Sequence, residues 1–265
     1  MKSNEEELMS LPRDSRLRGQ TAIVTGSSGG IGEAIARVLA SSGAEVVVAG
    51  RDTDRARSVV DAIIAAGGTA HAVVADVGGT YDEVRRFAHE ATAALGGRVD
   101  ILVNNAGIYP VSATAALSDA DLDAMLATNI RAPHVLVGEL APAMAAHGSG
   151  AIVNIGSWMS RVGVPFGAMY TASKAAIEQL TRTWSAEFGP SGVRVNTVAP
   201  GVTSTPGNAD SADVLAAMTA GTVAGRPVRP VDIAYAVRFL VSDDARFVHG
   251  IVLDVDGGIS NIKVG

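Results

Sequence analysis

Short apolar runs alternate with longer amphipathic stretches along the chain from Gln20 onward. Each run spans five or six residues and is rich in valine, isoleucine and alanine, a pattern typical of strands buried on both faces of a parallel sheet. We therefore predict seven strands, at Thr21–Thr25, Glu45–Ala49, Ala70–Ala75, Val99–Val103, Ala151–Ile155, Val193–Val198 and Ile251–Val255.

The amphipathic stretches predict helices that connect consecutive strands. Strands that alternate with helices indicate βαβ units, whose right-handed crossovers place helices on both faces of the sheet. We therefore predict one doubly wound α/β domain over residues 19–265, with about seven parallel strands. The predicted helices are Ile31–Ser42, Thr53–Ala66, Thr80–Leu95, Asp119–His147 and Met169–Phe188.

Two segments lack this alternation. Residues 1–18 are charged, include the three consecutive glutamates from Glu5 to Glu7, and are predicted to form a flexible N-terminal tail. Residues 203–230 hold several glycines and prolines around a short helical piece, Ala212–Ala220. Because irregular segments on a rigid scaffold often carry binding residues, we predict that residues 203–230 form a lid over the substrate.

The composition narrows the classes of function. The chain has 265 residues and a net charge of −6, so it lacks the basic surface of a nucleic-acid-binding protein. It has no cysteine, which excludes thiol catalysis and zinc–thiolate sites, and its five histidines show no metal-ligand spacing. No apolar run approaches the roughly 20 residues that span a membrane, and no secretory signal pattern opens the chain. We expect a cytoplasmic protein with no metal, membrane or nucleic-acid partner.

A glycine-rich loop joins the first predicted strand to the first predicted helix. In Thr25-Gly26-Ser27-Ser28-Gly29-Gly30-Ile31-Gly32, three glycines stand where a dinucleotide site needs them. Gly26 permits a tight turn, Gly30 lets the backbone approach a pyrophosphate, and Gly32 lets helix and strand pack closely. The free N–H groups of the helix N-terminus would bind the phosphates. The alternative is an ordinary flexible turn, but the order strand, loop, helix favours dinucleotide binding through Gly26, Ser28, Gly30, Ile31 and Gly32.

The end of the second strand bears on the choice between NADP and NAD. NAD-binding sites usually place a carboxylate there to accept hydrogen bonds from the ribose, whereas this strand ends at Gly50 and is followed by Arg51. The Arg51 guanidinium could hold a 2′-phosphate, which favours NADP, although NAD stays open. The alternative is a solvated arginine, or one paired with Asp52 or Asp54. Further along the same sheet edge we expect Asp76 and Val77 at the adenine, and Asn105, Ala106 and Gly107 beside the cofactor.

Tyr170 and Lys174 are four residues apart near the start of a predicted helix, which places them on one helix face. A tyrosine with its usual pKa near 10 is a poor acid or base at neutral pH, but a nearby ammonium lowers that pKa. The pair can therefore serve as general acid and base for the interconversion of a carbonyl and an alcohol. Taken alone, this spacing is frequent by chance, and a surface pair is the alternative.

Two more polar residues bear on this site. Ser157 follows the fifth predicted strand and could polarise a substrate carbonyl, or simply cap a turn. Trp158 follows it directly and could line the substrate pocket or pack under the lid. Asn129 stands shortly before Pro133, where a local break in the helix could free the backbone to hold a water. The alternative for Asn129 is a plain helix-surface asparagine.

This ordered set of motifs resembles the classical short-chain dehydrogenases/reductases, which have a Rossmann-like fold. The resemblance covers roughly residues 17–259. The matching elements are Thr25-Gly26-x-x-x-Gly30-Ile31-Gly32, Asn104-Asn105-Ala106-Gly107, Asn129, Ser157, Tyr170-x-x-x-Lys174, Pro200-Gly201 and Gly250–Gly258, with thirteen residues from Ser157 to Tyr170.

The resemblance implies a catalytic set of Asn129, Ser157, Tyr170 and Lys174, with Tyr170 as acid/base. It also implies that Lys174 lowers the pKa of Tyr170 and contacts the nicotinamide ribose, and that Asn129 holds a relay water. The remaining cofactor contacts would come from Pro200, Gly201, Thr203 and Thr205. Arg51 matches the family's NADP-preferring members, but the basic residue that they also carry in the glycine loop is replaced by Gly29.

The function that follows is reversible hydride transfer between NADP(H) and a ketone or secondary alcohol. The alternatives are an NAD-dependent alcohol dehydrogenase of the same family, and a nucleotide-sensing protein that kept the fold without catalysis. The substrate itself cannot be identified from the sequence. The resemblance also implies a homotetramer, assembled through Arg131–His147 and Met169–Phe188.

Overall fold

Seven parallel strands form one sheet in the computed structural model, which describes residues 2–262. The strand order is β3-β2-β1-β4-β5-β6-β7, so the order reverses between β1 and β4. This arrangement confirms the predicted doubly wound α/β fold. The strands are β1 Thr21–Val24, β2 Glu45–Gly50, β3 Thr69–Val74, β4 Ile101–Asn104, β5 Gly150–Ile155, β6 Val193–Pro200 and β7 Val252–Val255.

Helices cover both faces of this sheet, because alternate strand residues point to opposite sides. Val46 and Val48 of β2 belong to one apolar core, and Val47 belongs to the other. Helices α2, α3 and α9 pack on the first core, and α4, α6 and α7 pack on the second. The helices are α1 Asn4–Met9, α2 Gly30–Ser41, α3 Thr53–Ala65, α4 Tyr81–Ala94, α5 Asp119–Leu126, α6 Ala132–His147, α7 Ala168–Phe188, α8 Ala212–Thr219 and α9 Pro230–Val241.

The long helix predicted over Asp119–His147 is divided. Helix α5 continues into a π-helical turn, Ala127–Arg131, which leads directly into α6. The sequence predicts a break in the helix before Pro133. The structure instead keeps the helix continuous and changes its pitch there. A π turn inserts a residue into the helical repeat and is common at functional sites. Here it carries Asn129, whose side chain is almost fully buried.

The N-terminal segment differs from the flexible tail predicted for residues 1–18. Residues 4–9 form helix α1, which Ser3 caps through a reciprocal pair of hydrogen bonds with Glu6. Glu7 pairs with Arg229 at 2.7 Å and accepts a hydrogen bond from Tyr235 of α9 at 3.0 Å. Leu8 is buried in the apolar core. Glu7, one of the charges that suggested solvation, thus has partners that lie more than two hundred residues away in the sequence.

Replacing Leu8 by alanine is expected to lower the free energy of unfolding by about 2–3 kcal/mol, because Leu8 is only 6% exposed and its loss leaves a cavity. The matched control is Met9→Ala, since Met9 is 82% exposed and its loss should cost no more than about 0.5 kcal/mol. Urea unfolding of both variants measures the difference. Equal stability of the two variants would contradict the docking of α1.

The predicted lid segment, residues 203–230, lies at the surface and is anchored mainly at its base. Thr203 and Val228 form a bridge, and Ser204 donates its backbone N–H to the Val228 carbonyl at 3.1 Å. Between these ends, Pro206–Ser211 forms a 3-10 helix followed by α8, in which Thr219 is the one buried residue. Sparse apolar burial is typical of segments that open at low energetic cost.

The described part of the chain contains neither a membrane-spanning helix nor a candidate metal site. Within residues 2–262, no helix has the length and apolar character needed to cross a membrane. Over the same range, no group of three or more histidine, aspartate or glutamate side chains is arranged to hold a metal ion.

Candidate active site

A cleft of about 640 Å³ opens at the carboxyl edge of the sheet, beside the reversal of strand order. Ligands of doubly wound folds bind at this position, and the volume lies within the usual range of small-molecule sites. Most of the predicted cofactor residues line it: Gly26, Ser28, Gly30, Ile31, Gly32, Arg51, Asp76, Val77, Asn105, Ala106, Gly107 and Thr205.

The glycine loop has the shape that the sequence predicts. Gly26 has a φ of +62°, and a Cβ on it would approach the Ala106 Cα to 2.9 Å. A Cβ on Gly32 would lie 2.7 Å from the Ser27 Cα, so no larger residue fits between α2 and β1. Helix α2 has no side-chain cap, which leaves its first N–H groups to face the cleft. An uncapped helix N-terminus behind a glycine turn suits a pyrophosphate.

One part of the cleft, beside the glycine loop and the end of β2, carries two arginines. Arg51 and Arg55 are both exposed and both line the cleft. Within residues 2–262, neither guanidinium forms an ion pair. Arg51 is therefore not paired with Asp52 or Asp54, which was the alternative considered from the sequence. The Asp52 side chain instead caps α3 by accepting hydrogen bonds from two backbone N–H groups.

Gly50 leaves little room for the carboxylate that NAD-binding sites use. A Cβ at this position would lie 2.8 Å from the Cβ of Ser28 and would also overlap the Ser28 hydroxyl. Ser28 therefore occupies the space that a larger side chain at position 50 would enter.

The segment after β4 supports the loop as well as lining the cleft. The Asn105 side-chain amide donates to the carbonyls of Thr25 at 2.8 Å and Gly26 at 3.0 Å. The amide thus holds the glycine turn in place, which is a structural task beside the predicted cofactor contact. Asp76 accepts a hydrogen bond from the Gly78 N–H at 2.9 Å, which fixes its position in the wall of the cleft.

Tyr170 and Lys174 lie in the first two turns of α7, on one face as predicted. The Lys174 Nζ is 5.8 Å from the centre of the Tyr170 ring and donates a hydrogen bond to the Ile155 carbonyl at 2.8 Å. A Cβ on Gly107 would lie 3.3 Å from this Nζ and 3.4 Å from the Asn129 Oδ1. Lysine, asparagine and the end of the cofactor cleft therefore meet at Gly107.

Burial governs the titration of both groups. Lys174 is 5% exposed, and this burial lowers its pKa from 10.5 to about 8. Burial also raises the pKa of Tyr170, and the neighbouring Ser157 hydroxyl offsets part of that rise. The sequence predicts that Lys174 lowers the pKa of Tyr170. In the structure the pKa of Tyr170 is raised instead. The Lys174 ammonium is directed to the Ile155 carbonyl, and desolvation of the phenol has the largest effect on its pKa.

Asn129 is a buried residue, in contrast to the alternative of a helix-surface asparagine. Its amide donates to the Ile108 carbonyl at 3.0 Å and to the Ser173 hydroxyl at 3.1 Å, and its Oδ1 accepts from the Ile108 N–H at 2.9 Å. Ser173 in turn donates to the Tyr170 carbonyl at 2.7 Å. Asn129 thus ties the segment after β4 to the first turn of α7.

Ser157 lies two residues beyond β5, buried and facing Tyr170. Its hydroxyl accepts a hydrogen bond from the Met159 N–H at 3.2 Å, so it caps the following 3-10 turn, Trp158–Arg161. The Ser160 hydroxyl donates to the carbonyl of Ser157 at 2.7 Å and to the buried Glu178 carboxylate of α7. The capping role and the predicted substrate-facing role are therefore compatible at one residue.

Apolar and aromatic side chains surround this centre. The Tyr109 ring lies 4.2 Å from the Tyr170 ring, between centroids. A Cβ on Gly167 would lie 3.2 Å from both the Tyr109 hydroxyl and the Met159 methyl group. Trp158 is partly buried at the same turn. The space next to Tyr170 is thus bounded by groups that favour an uncharged substrate.

Four cofactor residues were predicted at the end of β6 and in the segment that follows it. Pro200 ends β6, and a Cβ on Gly201 would approach the Asp256 Cα to 2.6 Å, so this glycine is required by packing against the chain after β7. The Thr203 hydroxyl donates to the Gly201 carbonyl at 2.9 Å. The side chain of Thr205 faces the glycine loop, since its Cγ2 would be 3.7 Å from a Cβ on Gly30. Of these four predicted residues, Thr205 lines the cleft.

Three residues at the site were not predicted from the sequence. Ser173 bridges Asn129 and Tyr170, Arg55 reaches the glycine loop from α3, and Glu178 binds the turn after Ser157. For Arg55 a sequence signal existed, because it is a second arginine shortly after Arg51 and lies in the first turn of the helix that follows β2. For Ser173 and Glu178 no local pattern marks the role, which depends on packing.

Known proteins resemble this chain over nearly its whole length. Cis-4-hydroxycyclohexanecarboxylate dehydrogenase of Sinomonas cyclohexanicum is 40% identical over 247 residues, which cover 92% of this chain and 97% of that relative. Cyclopentanol dehydrogenase of Comamonas sp. is 36% identical over 249 residues, which cover 92% of this chain and 98% of that relative. The solved structure of a 3-oxoacyl (acyl-carrier-protein) reductase from Agrobacterium tumefaciens with NADP bound is 34% identical with a TM-score of 0.87, covering 91% of this chain and 95% of that one.

A family model supports the same assignment. The model described as Enoyl-(Acyl carrier protein) reductase matches residues 26–260, which include the glycine loop, Tyr170 and Lys174. Together with the seven-stranded parallel sheet and the cleft at its carboxyl edge, this match extends over the whole predicted site. The chain therefore belongs to the classical short-chain dehydrogenase/reductase family of NAD(P)-dependent oxidoreductases.

Proposed function

We propose that this protein transfers a hydride reversibly between NADP(H) and a ketone or secondary alcohol, with Tyr170 as the general acid/base. The observation that carries the proposal is the position of Tyr170 in α7. Its hydroxyl neighbours the Ser157 side chain, and its ring centre is 5.8 Å from the Lys174 Nζ, which reaches the cleft at Gly107. Proton transfer to or from a substrate oxygen requires a positioned hydroxyl of this kind beside the hydride donor.

Each residue of the site has a stated task in this reaction. The Tyr170 phenol gives its proton to the carbonyl oxygen in reduction and recovers it in oxidation. Ser157 donates a hydrogen bond to the same oxygen and polarises the carbonyl. Lys174 holds positive charge 5.8 Å from the centre of the phenol ring and so reduces the cost that burial imposes on the phenolate, without reversing the rise in the pKa of Tyr170. Asn129 positions Ile108 and Ser173, and thereby the first turn of α7, and holds the water through which Lys174 exchanges its proton.

The bound nicotinamide supplies or accepts the hydride. The residues proposed to hold the cofactor are those of the glycine loop, the adenine-end pair Asp76 and Val77, and the segment from Asn105 to Gly107. Arg51 would bind the ribose 2′-phosphate. Support comes from the unpaired state of Arg51 and from the Ser28 side chain that crowds position 50.

The substrate is proposed to be a small, uncharged cyclic or branched ketone or alcohol. Besides Lys174 and Ser157, the site carries the aromatic and apolar side chains Tyr109, Trp158 and Met159, which have no charge. One relative is named for cyclopentanol, another for a cyclic hydroxy acid that carries a carboxylate, and a structural neighbour is named a 3-oxoacyl (acyl-carrier-protein) reductase. Assays with cyclohexanone, cyclopentanone and a 3-oxoacyl thioester, each with NADPH, separate these classes. Absence of NADPH oxidation with every carbonyl despite tight NADPH binding would favour a nucleotide-sensing protein.

Replacing Arg51 by alanine is expected to raise the Kd for NADP⁺ by about tenfold to hundredfold, because a charge-assisted hydrogen bond to the phosphate is lost. The Kd for NAD⁺ should change by less than about threefold, since NAD⁺ has no group at this position. Fluorescence titration of both cofactors gives the ratio. A wild-type protein that binds NAD⁺ more tightly than NADP⁺ would establish the alternative, an NAD-dependent alcohol dehydrogenase.

Three further expectations stay predictions. The tetramer that would form through Arg131–His147 and Met169–Phe188 can be measured by light scattering. The lid role of residues 203–230 predicts that hydrogen exchange in this segment slows when cofactor and substrate bind. A cytoplasmic location can be checked by fractionation of cells that express the tagged protein.

A further inference from the structure

The space beside Gly29 is occupied by a side chain from another element. A Cβ placed on Gly29 would overlap the Nη2 of Arg55, and its three nearest heavy atoms would all belong to the Arg55 guanidinium. The third of these atoms is already 4.0 Å away, so nothing else crowds the position. The guanidinium of Arg55 therefore stands where a side chain from the glycine loop would begin.

Arg55 lies in the first turn of α3, an unusual place for a cation. The positive end of a helix dipole disfavours a guanidinium there, and an ion pair would be the ordinary compensation. Among the described residues no carboxylate pairs with Arg55, and Asp52, the nearest in sequence, is engaged in capping α3. An exposed, unpaired guanidinium beside the glycine loop would be stabilised by a bound anion.

The wall around this guanidinium suits a phosphate monoester. Arg51, Arg55, Ser28 and Ser58 all line the cleft, and Arg51, Arg55 and Ser58 follow one another within eight residues at the end of β2 and the start of α3. Glu33, the acidic residue of α2 that also lines the cleft, pairs with Arg37 at 3.2 Å and so does not neutralise the arginines. Two guanidiniums and two hydroxyls match the charge and the acceptor oxygens of a phosphate dianion.

We infer that Arg55 is a second specificity-determining residue for the ribose 2′-phosphate, and that it replaces the basic side chain that Gly29 lacks. The inference rests on the NADP(H) preference proposed above. It explains how a loop without a cation can still serve an NADP site, because the charge comes from α3 instead of from the loop. Arg51 and Arg55 then hold the phosphate from two sides.

The test measures equilibrium binding and needs no turnover. Adenosine 2′,5′-bisphosphate carries the phosphate in question, and adenosine 5′-monophosphate lacks it. In Arg55→Ala the Kd for the bisphosphate should rise by about tenfold to hundredfold, and the Kd for the monophosphate by less than about twofold. Arg57→Ala is the matched control, because Arg57 is exposed on the same helix but does not line the cleft. It should change either Kd by less than about twofold.

A rescue variant tests the replacement itself. Gly29 has an extended φ of 168°, which any residue adopts, so Gly29→Arg is accessible once Arg55 is removed. The double variant Arg55→Ala with Gly29→Arg should recover bisphosphate binding to within about fivefold of the wild type.

Several outcomes would overturn the inference. Equal losses for bisphosphate and monophosphate in Arg55→Ala, or the same loss in Arg57→Ala, would show a general effect. A wild type that discriminates between the ligands, with discrimination lost in Arg51→Ala but kept in Arg55→Ala, would refute the inference alone. A wild type that binds both ligands equally would refute the proposed NADP(H) preference and the inference with it.

Discussion

Replacing Tyr170 by phenylalanine is expected to lower kcat by about 10²- to 10⁴-fold, with the Kd for the cofactor changed by less than about twofold. The substitution removes only the hydroxyl that exchanges a proton with the substrate oxygen. The ring keeps its packing against Tyr109, whose centroid is 4.2 Å away, so the cleft should retain its shape. Loss of turnover without loss of cofactor binding is the signature of a group that acts in the chemical step.

Steady-state kinetics on the best substrate of the carbonyl panel, with fluorescence titration of NADPH, measures both quantities. The matched control is Tyr81→Phe, because Tyr81 is 52% exposed on α4 and lies outside the cleft. It should leave both quantities near the wild-type values. A Tyr170→Phe variant with unchanged kcat would remove Tyr170 from the mechanism and require another proton donor.

Replacing Lys174 by methionine is expected to lower kcat by at least about 100-fold and, at the same time, to stabilise the fold. The activity falls because the positive charge beside the phenolate is lost. The stability rises because burial opposes the charge, as the lowered pKa of about 8 reports. At pH 7 the variant should gain about 1–3 kcal/mol in the free energy of unfolding, since methionine fills a similar volume without a buried charge.

The stability difference between the wild type and the Lys174→Met variant is expected to depend on pH. Folded Lys174 loses its proton near pH 8, whereas in the unfolded chain it keeps the proton up to about 10.5. Between these values the unfolded chain binds more protons, so the stability of the wild type rises with pH relative to the variant. The gap between the two proteins should be largest below pH 8 and should close toward pH 10.5.

Urea unfolding from pH 6 to 10.5 on the wild type and the variant follows this gap, and Lys2→Met, at an exposed lysine, serves as the control. A gap that is constant over the whole range would contradict the buried-charge explanation. A variant that is less stable than the wild type at pH 7 would show that the Ile155 hydrogen bond outweighs the cost of desolvation.

The strands are the part of the fold that the sequence predicts best. All seven were predicted, and β5, for example, begins at Gly150 where Ala151 was expected. Runs of β-branched residues are readable because both faces of the central strands are buried, whereas the edge strands β3 and β7 are partly exposed. Helix α9 was not predicted, although it packs in the same core as α2. Its sequence follows an irregular segment, and its role becomes clear only from the contacts it makes.

The N-terminal segment and the candidate site show the limit of local patterns. Charged residues near the chain start favour solvation when read alone, yet Glu7 meets Arg229 and Leu8 enters the core. Similarly, the spacing of Tyr170 and Lys174 correctly predicts a shared helix face but not the direction of the ammonium. Hydrogen bonds to distant carbonyls, such as that of Ile155, are a property of the packed molecule.

Periodicity and motif order were sufficient for the doubly wound fold, the family and the edge of the sheet at which the site lies, because these depend on neighbouring residues and on burial that repeats along the chain. The packed structure decided the titration of Lys174 and Tyr170, the burial of Asn129 and the approach of Arg55 to Gly29. Desolvation and side-chain convergence arise between residues far apart in the chain, and a one-dimensional pattern carries no record of them.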